Sequence, residues 1–405
     1  MKIVIIGNGP AAVKASEAIA TCGAASNKKE LKITIISYEN TAPYSPMFLA
    51  DYLTGELGEE KTLLRDDYGL SPDKLLGQRV VKVEDSRNKV VTERGQEISY
   101  DKLLIASGAS PLKPPIKGID KEGVYFFNRL DDAKRLSQQT PGAENAIIIG
   151  AGVIGVEAAI ALNRIGRNVL VIELLGQILP QILDEALARH VENKLTGSGI
   201  RFMLGEGVSE ITGGNRAAGV IAGDKEISAD LILVAVGVKP NIGFLKSSGV
   251  KVNEGVLVDE KMRTNVPNIF AAGDVAESIN PYGGYELAFN WYNAIDQGWT
   301  AGCNLIGIEN TYRASPGLVA LKGMEPPVIS IGRRYGENYE VLSCANKEKG
   351  VYEKISIKDN HIDCYQAIGI VDKVGLMYGY IKERKDIGNI KDALLDIHSS
   401  ANLVA

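Results

Sequence analysis

Apolar and polar positions along this chain follow two alternating periods. Short apolar runs of strand length stand in "MKIVIIG", "LKITIIS", "NAIIIG", "NVLVIE" and "LILVAVG". Between several of them lie longer stretches whose apolar residues recur at helical spacing. Unbroken apolar runs of this kind suit strands buried on both faces of a parallel sheet. The order strand, turn, helix, strand occurs twice, which predicts an α/β chain with two parallel-sheet domains. From about Thr311 the pattern changes. "YEKISIKDNHIDCYQAIG" alternates like a hairpin with "KDN" as its turn, and "DIGNIKDALLD" reads as a closing helix. That end is expected to be α+β. The longest apolar stretch, near "AIIIGAGVIGVEAAIAL", is broken by glycines and Glu157, so it reads as strand, turn and helix rather than a membrane span.

The turns between strand and helix carry the chemistry. In "GNGPAA", Gly7 permits a tight turn and Gly9 lets the backbone approach a pyrophosphate. Ala11 and Ala12 begin the helix, and Ala12 keeps it close to the sheet. Pro10 suits the first helical position, where an N–H would have no partner. The helix N-terminus then offers N–H groups and a partial positive charge to phosphates. The next strand ends beside Glu39, the candidate for ribose hydroxyls. The pattern recurs in "GAGVIGVE", where Gly150, Gly152 and Gly155 take the three glycine positions. Glu173 ends the following strand, about twenty residues on, where an acid accepts hydrogen bonds from ribose 2′- and 3′-hydroxyls. A carboxylate there repels a 2′-phosphate and no arginine follows closely, so the second site is expected to prefer NADH to NADPH. One such turn can be merely structural. Two in full context imply two dinucleotides, and hydride transfer between a nicotinamide and a flavin is the commonest reason to hold both.

Composition narrows the classes. At 405 residues, 45% hydrophobic and 23% charged, the chain is long enough for two or three folded domains. A net charge of -5 gives no electrostatic case for nucleic acid or an anionic membrane. Cys22, Cys303, Cys344 and Cys364 are spread too widely for a zinc or iron–sulfur motif and are read as reduced, and His190, His361 and His398 are scattered. "MKIVIIG" runs straight into a strand, so no signal peptide is expected. A cytoplasmic protein is the expectation.

Two more segments bring in a family. "DKLLIASGASP", with Ser107 and Gly108, is similar to the A-T-G segment of FAD-dependent pyridine nucleotide–disulfide oxidoreductases, with serine for threonine. "TNVPNIFAAGDVAE" resembles their second FAD signature, and "LILVAVGVKPN", with Gly237, resembles the segment leaving their NAD domain. The resemblance covers residues 1 to about 310. It implies an α/β architecture of two Rossmann-like domains, an NAD domain (116–240) inserted in an FAD domain (1–115 and 241–310). A C-terminal α+β domain (311–405) would serve dimerisation or a partner. It further implies that Asp274 accepts from the flavin ribityl chain, with Gly273 allowing close approach. "GGYELAFNWYNAIDQGWTAGCNLIG" would be a helix whose N-terminus, near Glu286 to Ala288, points at the flavin edge. Glu157 would lie near the nicotinamide; its alternative reading is a solvated or capping acid in a helix's first turn.

The segment "TAPYSPMFLADYLTGE" then poses the central question. In the coenzyme A disulfide reductase and NADH oxidase branch a cysteine opens a similar stretch, and aligned on "YLTG" Met47 takes its place. A thioether forms neither thiolate nor disulfide. The P-Y-S start, Pro43 to Ser45, is similar to the rubredoxin and ferredoxin reductase branches, and the chain also resembles FAD subunits of multi-subunit NAD-linked oxidoreductases. Tyr44 and Met47 are therefore candidates for the electron route beside the flavin, or for a turn that merely packs there. Without an internal dithiol, electrons from NADH would pass through FAD to an external carrier, an iron–sulfur protein or subunit. A peroxide-forming NADH oxidase and a non-catalytic flavin-holding scaffold stay open as alternatives.

Overall fold

The computed structural model describes residues 1–25, 31–280, 282–334, 336–346, 350–391 and 394. They form two compact units. One comprises Met1–Phe48, Gly58–Ser110 and Val238–Ser315, the other Leu49–Leu57, Pro111–Gly237 and Pro316–Ala405. The segment with Tyr44 and Met47 passes from one unit to the other at Phe48–Leu49.

The first unit is built on a parallel sheet in the order Ile269–Ala271, Lys102–Ile105, Lys2–Ile6, Lys32–Ser37, Asp73–Leu76. Its central strand buries Ile3, Val4 and Ile5 almost completely, as an unbroken β-branched run should when both faces are covered. Helix Pro10–Ala25 and helix Trp291–Leu305 pack closely. The reason lies in two small residues: a Cβ at Gly298 would meet the Ala11 carbonyl oxygen at 2.3 Å, and one at Gly302 the Ala15 oxygen at 2.5 Å.

The second unit repeats the plan. Its parallel sheet runs Arg201–Leu204, Asn168–Glu173, Asn145–Ile149, Leu231–Val234, Val124–Phe126, with helix Val153–Arg164 after the central strand. The same unit holds an antiparallel sheet ordered Leu318–Leu321, Val328–Gly332, His361–Ile368, Val351–Lys358, Glu340–Asn346. The expected hairpin is present, and Asp359 and Asn360 both take positive φ at its turn, as a tight two-residue connection requires. Ser330 Oγ and Gln366 Nε2 both donate to the Ile182 carbonyl at 2.7 Å, tying this sheet to the chain after Glu173.

One expected helix is only partly described and another begins elsewhere. Of the closing helix expected over 386–396, residues 386–390 run as irregular chain and turn and Lys391 enters a tight helical turn, while 392–393 and 395–396 lie outside the described residues. A helix not expected from the sequence stands before it, at Val374–Glu383, where it buries Met377 and Tyr380 against the antiparallel sheet. Gly375 and Gly379 weaken its local helical signal, and tertiary packing overrides them. The second case is the helix expected to begin near Glu286–Ala288. Tyr285–Leu287 is instead a strand, with Glu286 opposite Ser278, and Ala288 follows it. The helix begins at Trp291 because Asn290 caps it, its side chain accepting from the Asn293 N–H at 3.0 Å. No described helix is long and apolar enough to cross a membrane.

Candidate functional site

The two glycine turns have the same construction. Gly7 N–H donates to Ile36 O at 2.8 Å, and Gly150 N–H donates to Ile172 O at 2.8 Å. Both glycines have positive φ, and a Cβ on either would strike a carbonyl oxygen, Ala106 O at 2.0 Å or Ala235 O at 2.4 Å. Gly155 is needed for packing, since its Cβ would lie 2.1 Å from Gly150 O. In the first copy Ala12 fills that position and is buried. Gly9 and Gly152 behave oppositely: a Cβ built on either meets nothing within 4 Å. Protein packing does not demand glycine there. Each stands beside open space at a helix start, where the first-turn N–H groups lack helical partners. Helix Pro10–Ala25 starts at Pro10, as expected, with Ala11 behind it.

In the first unit, Asn241 joins two distant segments. Its side-chain N–H donates to Ser107 O at 2.8 Å, while Ser107 Oγ donates to Asn241 O at 2.9 Å and Ser110 Oγ to Asn241 Oδ1 at 2.8 Å. Gly108 has positive φ and open space around a hypothetical Cβ. Gln297, buried on helix Trp291–Leu305, accepts from Gly273 N–H at 2.8 Å and donates to Ser278 Oγ at 3.2 Å. Gln297 does not stand out in the sequence, and Asn241 appears there only as the last residue of "LILVAVGVKPN" with no role attached, because each bonds residues remote along the chain. Gly273 has positive φ, which leaves the half-buried Asp274 beside it.

Asp274 accepts no hydrogen bond from a described residue, and burial pushes its carboxyl up to about 6 from an ordinary 3.8. A desolvated acid with no donor is costly unless a donor arrives. A pH effect follows. Between the two values the folded flavin-free protein holds a proton that the unfolded chain has released, so its stability falls as pH rises from about 4 to 6. The loss is roughly 3 kcal/mol at most. Thermal unfolding of flavin-stripped protein across that range should show it, and Asp274→Asn should remove it. Equal pH profiles for the two proteins would contradict this.

Tyr44 is buried, and its hydroxyl donates to Glu39 Oε2 at 2.8 Å. The structure thus couples Tyr44 to the acid at the strand end. Met47, 44% exposed, is the middle residue of a short helical turn, Pro46–Phe48. In the second unit, Glu173 Oε2 accepts from Ala151 N–H at 2.7 Å, inside the glycine turn, and Oε1 accepts from Leu175 N–H at 2.9 Å. Each oxygen keeps a further lone pair. The next residues, Leu174 and Leu175, are exposed. Gly237 has positive φ at the end of the last parallel strand. Glu157 lies on helix Val153–Arg164 and is half-buried. Burial raises its carboxyl above the ordinary range, and the Lys322 N–H, donating to Oε1 at 3.2 Å, partly offsets this. Lys322 Nζ pairs with Asp51 Oδ2 at 2.5 Å. Asp51 and Lys322 therefore belong to the surroundings of Glu157, an association invisible in sequence.

A family model described as pyridine nucleotide-disulphide oxidoreductase matches residues 1–298. The chain belongs to that family. It is 31% identical over 411 residues to an assimilatory nitrate reductase electron transfer subunit of Bacillus subtilis (strain 168), covering 99% of this chain and 52% of that protein. It is 28% identical over 390 residues to a rubredoxin-NAD(+) reductase of Pseudomonas putida, covering 94% of this chain and 99% of that one. A solved NAD-dependent persulfide reductase from A. fulgidus superposes with a TM-score of 0.89 at 27% identity, over 97% of this chain and 79% of that one. The chain spans about half the length of two of the curated relatives it matches. The residues present fit the dinucleotides this family implies. Gly9, Gly108 and Gly152 border open space, and Asp274 waits for a donor.

Proposed function

We propose that the chain is an FAD-dependent NADH:acceptor oxidoreductase that moves electrons between NADH and an iron–sulfur or similar redox protein without a redox-active cysteine. The observation that carries this is the pair of equivalent glycine turns combined with Met47 in place of a thiol. Among the described residues no group of His, Cys, Asp and Glu could hold a metal. The names of two relatives, an electron transfer subunit and a rubredoxin reductase, support an external protein as acceptor.

FAD would lie in the domain of 1–115 and 241–310, NADH in that of 116–240, and 311–405 would meet a partner. Bound FAD supplies an acceptor for a hydride and a donor of single electrons. The chain's own residues do the holding. Gly9 and the Pro10–Ala12 turn take the FAD pyrophosphate, and Glu39, oriented by Tyr44, takes the ribose. Ser107 and Gly108, set by Asn241, and Asp274, presented by the Gly273–Gln297 contact, line the rest of the flavin site. The start of helix Trp291–Leu305, rather than Glu286 to Ala288, turns the positive end of a helix dipole toward negative charge on the flavin. Glu173 orients the NADH ribose. Glu157, held by Lys322, orients the nicotinamide end and excludes water there. Tyr44 acts as a positioning residue, and Met47 remains the exposed candidate for partner contact. Four cysteines with no disulfide among them favour a reducing compartment such as the cytoplasm.

Stopped-flow with the isolated holoprotein tests the reading. NADH bleaches the flavin, and a rubredoxin-class protein or one-electron dye restores colour faster than oxygen does. Met47→Glu slows transfer to the protein acceptor several-fold and leaves bleaching unchanged. Reoxidation by oxygen at full turnover speed, unmatched by any one-electron acceptor, would replace this reading with a stand-alone NADH oxidase.

A further inference from the structure

Two cysteines far apart in sequence meet inside the first unit. Cys22 lies near the end of helix Pro10–Ala25 and Cys303 near the end of helix Trp291–Leu305, with their sulfurs 3.4 Å apart. The contact follows from the backbone. Gly298 and Gly302 bring the second helix against Ala11 and Ala15 of the first, and the next residue, Cys303, faces Cys22. Cys303 is buried and Cys22 half-buried. A disulfide needs its sulfurs at about 2.0 Å, so closing requires them to approach by roughly 1.4 Å.

We propose that Cys22 and Cys303 form a modification site, a reversible disulfide that staples the two helices together. The oxidant is a low-molecular-weight disulfide. Cys22, the more accessible sulfur, loses its proton and attacks one sulfur of that disulfide. The external S–S bond breaks, one small thiolate leaves, and a mixed disulfide forms on Cys22. Cys303 then loses its proton and attacks the Cys22 sulfur, and the second small thiolate leaves. Two protein thiols are oxidised, one small disulfide is reduced to two thiols, and the released protons end on those thiols. Burial pushes the Cys303 thiol up to about 12, and its hydrogen bond with Cys22 adds to this, which makes Cys22 the initiating sulfur.

The staple bears on the flavin site, a consequence that rests on the proposed function. Both helices contribute to that site on the N-terminal side of these cysteines, Pro10 at the start of one and Gln297, mid-helix, through its contact to Gly273 on the other. Cys22 lies roughly 18 Å along its helix from Pro10, too far to touch the chemistry. The disulfide therefore restrains the helix pair, slowing flavin escape without altering turnover.

The test uses holoprotein incubated with oxidised glutathione, then quenched in acid, denatured and alkylated. The expected result is a fall from four alkylatable thiols to two, with a linked peptide containing Cys22 and Cys303 that dithiothreitol separates. Cys22→Ser and Cys303→Ser each abolish the linked peptide. Release of FAD into mild urea slows at least threefold on oxidation of the natural protein and not of either variant, while NADH-to-dye turnover is unchanged. Four persistent thiols, a glutathione adduct on Cys22 that never resolves, or a link through Cys344 or Cys364 overturns the site. A linked peptide with unaltered FAD release overturns the retention role. If no FAD is bound at all, the proposed function fails, and the peptide measurement still decides the disulfide.

Discussion

Gly9→Val leaves the protein folded and strips it of flavin. The two halves of this result come from separate observations. A Cβ built at Gly9 meets nothing within 4 Å, and Gly9 does not have positive φ, so valine is expected to leave the fold intact. The same side chain would fill the space that the proposed site leaves for a pyrophosphate. Forcing bulk into a packed contact costs roughly 3 kcal/mol, about a hundredfold in Kd for FAD. Gly7→Val is the contrast. Gly7 has φ of +114°, and its Cβ would lie 2.0 Å from Ala106 O, so that variant loses the fold itself. Circular dichroism and flavin absorbance on both variants separate the cases. A yellow Gly9→Val protein with normal FAD content, or a natural chain that is colourless and binds no added FAD, would contradict the assignment.

The second large effect is discrimination between NADH and NADPH. Glu173 is locked by N–H groups of Ala151 and Leu175, so its carboxylate cannot swing away from an incoming 2′-phosphate. Losing the ribose hydrogen bonds and facing charge with charge costs on the order of 2–4 kcal/mol. Flavin reduction by NADH should therefore exceed that by NADPH by tens- to several hundred-fold in specificity constant. Glu173→Gln keeps an acceptor for Ala151 N–H and removes the charge, and should narrow the ratio at least tenfold. Equal single-turnover rates with the two cofactors in the natural protein would show that Glu173 does not read the ribose.

How much of this was legible in the chain differs by residue. Gly7, Gly150 and Gly155 could be read directly, since a strand-to-helix turn of this length requires them and their packing distances explain why. Gly9 and Gly152 were legible for a different reason, their place in the same short motif. Glu39 and Glu173 followed from strand ends. The Asp359–Asn360 turn was visible because both residues tolerate the left-handed region. By contrast, the start of helix Trp291–Leu305 was misplaced, because Tyr285–Leu287 pairs with a strand the local pattern did not reveal. Gln297 and Lys322 carried no signal at all, and Asn241 only its place at the end of "LILVAVGVKPN". Each bonds a partner at long sequence separation, and nothing in a single polar side chain says which remote backbone group it will meet.

Sequence alone determined the repeating strand–turn–helix units, the two glycine turns, the acids that end the following strands and the missing thiol at Met47. All of these are short-range: a turn, a helix start or a strand end is decided within a few residues by sterics and hydrogen bonding. Tertiary structure alone decided what those pieces are held by. It turned Tyr44 toward Glu39, left Asp274 without a donor among the described residues, set Lys322 between Glu157 and Asp51, and brought Cys22 against Cys303. The reason is that such contacts arise from close packing of elements distant along the chain, where two glycines on one helix can fix which side chains meet on another.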